Sequence, residues 1–260
     1  MLKKTITLFT ILCAITTYGF SPYENYLQSG QQKHVMLAAI AKPGSITKLQ
    51  KLIPEAANKK RALRKAKISN ISSYTQKINK DEFIFIYFDY KGKSYLDAVA
   101  AFEKIPAIKE LSSLVSPTPL AKDRGNIWLQ MEWINFISGA QLKGKPASQF
   151  AMATRIKPEK EKEYRQLHQS TWPGIVDWMS RKGYHNFSIF VMYVGDEIYE
   201  FFYTETVAAA KGSATIKNLD NDKICRRWWD NTDPCQNPLP GADGIWLMMK
   251  KVGKSDKKAK

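Results

Sequence analysis

Apolar and polar positions alternate through Phe150-Ala-Met-Ala-Thr-Arg-Ile156, the pattern of a half-buried strand. Lys157-Pro158 leads into a stretch whose stripe is Tyr164, Leu167, His168, Thr171, Trp172, Ile175, Trp178 and Met179. This i, i+3, i+4, i+7 spacing predicts a helix over residues 159–181. Pro173-Gly174 interrupts the stripe. Proline lacks an amide hydrogen and crowds the preceding turn, so the helix should kink or restart there, and Gly183 should end it. Strands are expected over residues 187–194 and 198–204, joined by a tight turn at Gly195-Asp196. Helices over 207–218 and 222–230 follow, then a last strand over 244–251 with Trp246, Met248 and Lys250 on one face. The order β-α-β-β-α-β is that of a ferredoxin-like unit, an α+β fold in which helices cover one side of an antiparallel sheet.

A fainter copy precedes it. Val35 to Pro43 parallels Phe150 to Pro158, and Asn70-Ile-Ser72 parallels Asn186-Phe-Ser188. Residues 82–88 parallel 197–203, and Trp128-Leu-Gln-Met131 parallels Trp246-Leu-Met-Met249. Offsets of about 115 to 118 residues indicate a duplication. The expected organisation is a first repeat over 33–137, a linker over 138–148 rich in turn formers, and a second repeat over 149–252. On this alignment Leu49, Ile53 and Ala57 stand where Tyr164, His168 and Trp172 stand, and Leu111-Ser112 replace Trp228-Trp229. Such residues neither move protons nor stack on a ligand, so the first repeat reads as catalytically empty.

The flanks change the picture of where the protein works. A basic start, Lys3-Lys4, precedes an apolar run from Ile6 to Ile15 and then small residues. That is the pattern of a secretory signal peptide over residues 1–20, too short to span a membrane. The expected location is the periplasm or the cell exterior, with no membrane association after cleavage. The net charge of +16 is concentrated at residues 59–67 and in the basic tail 253–260. No nucleic-acid motif accompanies either block, so a solvated helix face and a disordered tail are favoured over nucleic-acid binding. An anionic surface or polysaccharide is a middle option. Once the signal is removed, Cys225 and Cys235 are the remaining cysteines. In an oxidising compartment they either pair or are kept apart by helix geometry.

Candidate chemistry gathers in the second repeat. Tyr164, His168 and Trp172 recur every four residues and share one helix face. Gly183-Tyr-His185-Asn186-Phe187, Trp228-Trp229 after Arg226-Arg227, and Asn237-Pro238 lie farther along. A titratable group among flat apolar rings suits a sugar, whose C–H faces stack while its hydroxyls seek hydrogen bonds. An ordinary aromatic core is the plainer reading of the helix face alone. His185 and Asn186 read mainly as turn-holding residues, with Trp172 beside them as possible pocket residues. Trp133, Trp178 and Trp246 read as core, and His34 has no assigned role.

Together Tyr164-x-x-x-His168-x-x-x-Trp172-Pro173, Gly183-x-His185-Asn186-Phe187-x-Ile189-Phe190 and Cys225-Arg-Arg-Trp228-Trp229 resemble the L-rhamnose mutarotase family over residues 149–251. The resemblance implies an isomerase that interconverts the anomers of a 6-deoxy sugar and needs no metal or nucleotide. It implies His168 as the acid–base residue, Tyr164 as its orienting neighbour, and Trp228 and Trp229 as sugar contacts. The family carries a tyrosine where this chain has Phe187, so one hydroxyl contact is missing and sugar preference is affected. The family's cysteine at the position of Cys225 is usually unpaired. Family members are single-unit homodimers with sheets packed face to face, which implies that the two repeats here form that dimer within one chain, as tandem ferredoxin-like repeats of the dimeric α/β-barrel type. Two other functions fit the pattern: a sugar-binding or sensor protein without turnover, and more remotely a haem-binding monooxygenase-like protein with His168 as axial ligand.

Overall fold

A computed structural model describes residues 32–207 and 222–252. The expected signal peptide, the basic tail and nearly all of the helix expected at 207–218 lie outside the described residues. No described helix is long and apolar enough to cross a membrane.

The first half begins with β1 (Lys33–Ala41), α1 (Ile46–Ala57), α2 (Lys60–Lys65), β2 (Ile68–Ile78) and β3 (Asp81–Tyr90). It continues through α3 (Ala98–Glu103), α4 (Pro106–Ser113), β4 (Val115–Ser116), α5 (Pro119–Asp123), β5 (Leu129–Gln130) and β6 (Glu132–Gly139). The second half holds β7 (Ser148–Ile156), α6 (Glu161–Gln169), α7 (Pro173–Arg181), β8 (Tyr184–Val194) and β9 (Glu197–Thr206). After residue 221 come α8 (Lys223–Thr232), β10 (Gln236–Asn237), β11 (Leu247–Met248) and β12 (Lys250–Lys251). The expected long helix is thus two. Pro173 opens α7 at its first position, where a missing amide hydrogen costs nothing, and Trp172 before it has extended backbone (φ −59°, ψ 135°).

Two antiparallel sheets form. The first runs β12-β2-β3-β1-β4 with β5 also on β1, and the second β10-β7-β9-β8-β6 with β11 also on β7. The last strand of each half therefore completes the sheet of the other. The chain crosses over at Met131 and Met249, whose amides still bond their own sheets at Met36 O and Ala151 O, both at 3.0 Å. The single strand expected at 244–251 is accordingly split between two sheets. Helix-free faces meet between the halves, where Tyr74, Phe83, Phe85 and Tyr87 pack against Phe190, Tyr199, Phe201 and Tyr203. Phe85 and Phe201 lie 4.6 Å apart, and Tyr87 stacks on Tyr203 at 3.5 Å. Burying these faces supplies the large apolar area that each sheet alone would leave wet.

The pairing corrects one parallel read from the sequence. Ala39 faces Ile84 in the first sheet, and its counterpart Thr154 faces Glu200 in the second. The equivalent of Glu200 is therefore Ile84, and that of Tyr203 is Tyr87. The alignment of residues 82–88 with 197–203 is one residue out, which would have put every side chain on the wrong face.

At the pseudo-twofold axis both halves contribute to a polar cluster. Asn70 and Asn186, both left-handed (φ 52° and 56°), sit at matching β-bulges. The Asn70 amide donates to Asp89 Oδ2 at 3.1 Å and to Glu205 Oε1, while that of Asn186 donates to Tyr87 Oη at 3.0 Å. His34, unassigned from sequence, is buried there with Nδ1 3.1 Å from Asp89 Oδ1. Asn186 is thus a structural residue of the interface. Phe201→Ala should lower stability by ~3–5 kcal/mol, the usual cost of emptying a buried aromatic site. Thermal unfolding should show both halves melting together at a lower temperature.

Candidate functional site

On the helix-covered side of the second sheet lies a cavity of about 190 Å³. Tyr164 and His168 reach it from α6, Trp228 and Trp229 from α8, and Phe187 from β8. The structure thus brings together the principal candidate residues. Trp172 stands outside the described lining but braces Trp228 edge-on at 5.3 Å. His185 is also outside it, its ring nitrogen bonded to Ala140 O at 2.7 Å. Trp178 and Trp246, expected in the core, instead line the cavity. Trp178 packs on Trp229 and Trp246 on Phe202, at 6.0 and 4.8 Å. Trp133 packs against the core between the sheets, as expected.

His168 is buried between two rings, 4.2 Å from Tyr164 and 5.2 Å from Trp228. Its Nδ1 lies 3.0 Å from the Tyr164 carbonyl oxygen. A carbonyl only accepts, so Nδ1 carries the hydrogen and Nε2 carries the lone pair. Burial lowers the His168 pKa to about 4, outweighing that hydrogen bond, which acts the other way. The imidazole is therefore neutral at pH 7 and suited to accept a proton.

Two site residues escaped the sequence reading. Asn135 comes from β6, so the empty half supplies part of the cavity wall. Its amide donates to the His168 carbonyl at 2.6 Å and to Thr171 Oγ1 at 2.9 Å, satisfying the C-terminal end of α6 just where the histidine stands. Glu200 is the other. It sits on β9 facing α6, fully buried, with the Tyr164 hydroxyl donating to Oε1 and Gln236 Nε2 donating to Oε2 at 2.9 Å. Burial raises its pKa to about 8 despite both donors. A glutamate amid Glu197-Ile-Tyr-Glu200-Phe-Phe-Tyr203, on the face that otherwise carries Ile198 and Phe202, was the available signal.

In the first half the places of Tyr164, His168, Glu200 and Gln236 are taken by Leu49, Ile53, Ile84 and Val115, all buried in one apolar cluster. The same scaffold thus closes without polar groups at these four positions. Cys225 and Cys235 are buried and not bonded to each other, which resolves the pairing left open by the sequence. No cluster of metal-ligand residues occurs among the described residues.

The model of the L-rhamnose mutarotase family matches residues 149–253. That segment is similar to this family. Among curated relatives, the L-rhamnose mutarotase of Tolumonas auensis is 29% identical over 79 residues, 30% of this chain and 70% of that one. The L-rhamnose mutarotase of Pectobacterium atrosepticum is 26% identical over 98 residues, 35% of this chain and 88% of that one. Neither alignment is as long as the second half. Across both halves, a putative monooxygenase from Lactobacillus acidophilus is similar at 7% identity and a TM-score of 0.49, covering 85% of this chain and 93% of that one. The matched segment holds the helices and most strands of the second sheet, and β6 of the preceding half completes that sheet beside the site.

The tautomer is open to direct measurement. Nitrogen-15 NMR of His168 should show the hydrogen on Nδ1 and a neutral ring down to about pH 4.

Proposed function

We propose that the second half interconverts the α and β anomers of a 6-deoxy sugar, L-rhamnose or L-fucose. The observation that carries this is His168. It is neutral, has its Nδ1 hydrogen committed to the Tyr164 carbonyl, and lies in an aromatic-walled cavity of about 190 Å³. Nε2 takes the proton of the anomeric hydroxyl as the ring opens to the aldehyde. Rotation about C1–C2 follows, and the histidinium returns the proton when the ring recloses on the other face. Trp228, Trp229 and Phe187 offer flat surfaces for the sugar's C–H faces and methyl group. Trp228 and Trp229 add indole N–H donors. Families sharing this domain carry the name L-rhamnose mutarotase, which supports the substrate class. Action in the periplasm or outside the cell belongs to the same proposal and rests on the signal-like residues 1–20.

A sugar-binding protein without turnover is the second reading, favoured by Phe187 in place of the family tyrosine. A haem role fits the site poorly, because Tyr164 and Trp228 close on His168 from two sides and leave no macrocycle-wide face.

Saturation-transfer NMR separates the two main readings. Exchange of L-rhamnose or L-fucose anomers should exceed the buffer rate, and His168→Ala should reduce the enzymatic rate by ~10²–10⁴-fold. Since His168 protonates only near pH 4, the rate should hold from pH 7 to about 5 and fall as pH drops through about 4. Tight binding with no exchange would point to the binding protein instead.

A further inference from the structure

Glu200 has no structural excuse. Its counterpart in the other half is Ile84, and the donors that meet it, Tyr164 and Gln236, correspond to Leu49 and Val115. Burying a carboxyl with its two partners is costly where aliphatic residues serve the same fold. Among the described residues, no cation is packed on it. Tyr164 faces it from α6, with the His168 ring tilted against the tyrosine at 4.2 Å. Gln236 faces it from β10, and Cys235 and Asp233 lie in the turn leading to that strand. Thr154 and Val191 flank it across the sheet. Its two hydrogen-bond partners, Tyr164 and Gln236, both line the cavity.

Ring opening needs more than a base. As O1 loses its proton, the ring oxygen must gain one, and a neutral histidine with its hydrogen bound to a backbone carbonyl has none to give. We propose that Glu200 supplies this proton through the Tyr164 hydroxyl, acting as the acid opposite His168; the proposal rests on the mutarotase reading. With sugar bound, the Tyr164 hydroxyl turns from Glu200 Oε1 toward O5 and accepts from the protonated carboxyl instead. His168 Nε2 then takes the O1 hydrogen, C1–O5 breaks, and O5 takes the hydroxyl hydrogen of Tyr164 as Glu200 passes its own to the phenol oxygen. The open-chain aldehyde then stands between a histidinium and a carboxylate. After rotation about C1–C2 the transfers run in reverse, so no proton is gained or lost over the cycle. The raised pKa of Glu200, caused first by burial, is what keeps its proton in place at neutral pH. Tyr164, also raised well above the ordinary tyrosine value by burial, serves as a conduit and not as a phenolate.

The test combines Glu200→Gln with a spectroscopic readout on the unaltered protein. Difference infrared spectroscopy of the wild type at pH 7 should show a protonated buried carboxyl that disappears on titration through about pH 8 and is missing in Glu200→Gln. Exchange by the wild type should fall over the same alkaline range. Glu200→Gln should lower kcat by at least ~10-fold with KM little changed, and its remaining rate should lack that alkaline fall. A merely structural glutamate would change stability or KM but not this limb. Wild-type kcat and an unaltered pH profile in Glu200→Gln would overturn the relay while leaving the mutarotase intact. So would absence of the protonated carboxyl band at pH 7. A folded wild type with no exchange of any deoxy sugar would overturn both.

Discussion

Face-to-face packing of the two sheets, closed by exchanged edge strands, is the constraint from which the rest follows. Each sheet carries helices on one side only, so its other face is apolar and needs a partner. The stacked Tyr87–Tyr203 pair and the Phe85–Phe201 contact fill that space, and the matching Asn70 and Asn186 clusters tie the polar rim across the axis. Because β6 leaves the first half to finish the second sheet, part of the cavity wall and the cap on α6 come from the half whose equivalent positions are aliphatic. The first half is retained as the second half's partner.

The duplication also supplies an internal control. At four of the buried positions where the two copies differ, one has aliphatic residues and the other tyrosine, histidine, glutamate and glutamine. Hydrogen-bonded polar groups in an interior gain little net stability, and leaving any of them unmet is expensive. The polar set therefore reflects selection for a reaction or a ligand. Its electrostatics point the same way. Burial pushes the histidine pKa down and the glutamate pKa up, giving a ready base and a ready acid with one tyrosine between them. Environments that drive two titratable groups apart in this manner are typical of acid–base sites.

Much of this was legible in the sequence. Period-two alternation located the long strands, Pro173 marked the helix restart, and the spacing of Tyr164, His168 and Trp228-Trp229 picked out residues that the structure places around one cavity. Strand exchange was not legible, because residues 132–139 and 250–251 show only that they are strands and not which sheet they join. The one-residue slip in aligning residues 82–88 hid Glu200, since it paired the glutamate with a residue on the opposite face. Asn135 was hidden for the first reason: a lone polar residue in an edge strand acquires meaning only when its neighbour is known to be the His168 carbonyl. Trp178 and Trp246 were assigned to the core because a cavity lined with aromatic rings and a packed interior have the same local pattern.

The central claim is that the polar set in the second half exists for chemistry and not for folding. The most direct test replaces Tyr164, Glu200 and Gln236 together by apolar residues of similar size, as Tyr164→Phe, Glu200→Leu and Gln236→Leu, leaving His168 in place. Thermal unfolding and anomer exchange are then measured on the same sample. The account expects an unfolding temperature equal to or above the wild type, with exchange reduced as far as in the loss of the acid. A protein that unfolds well below the wild type, or one that folds and exchanges anomers at the wild-type rate, would contradict it.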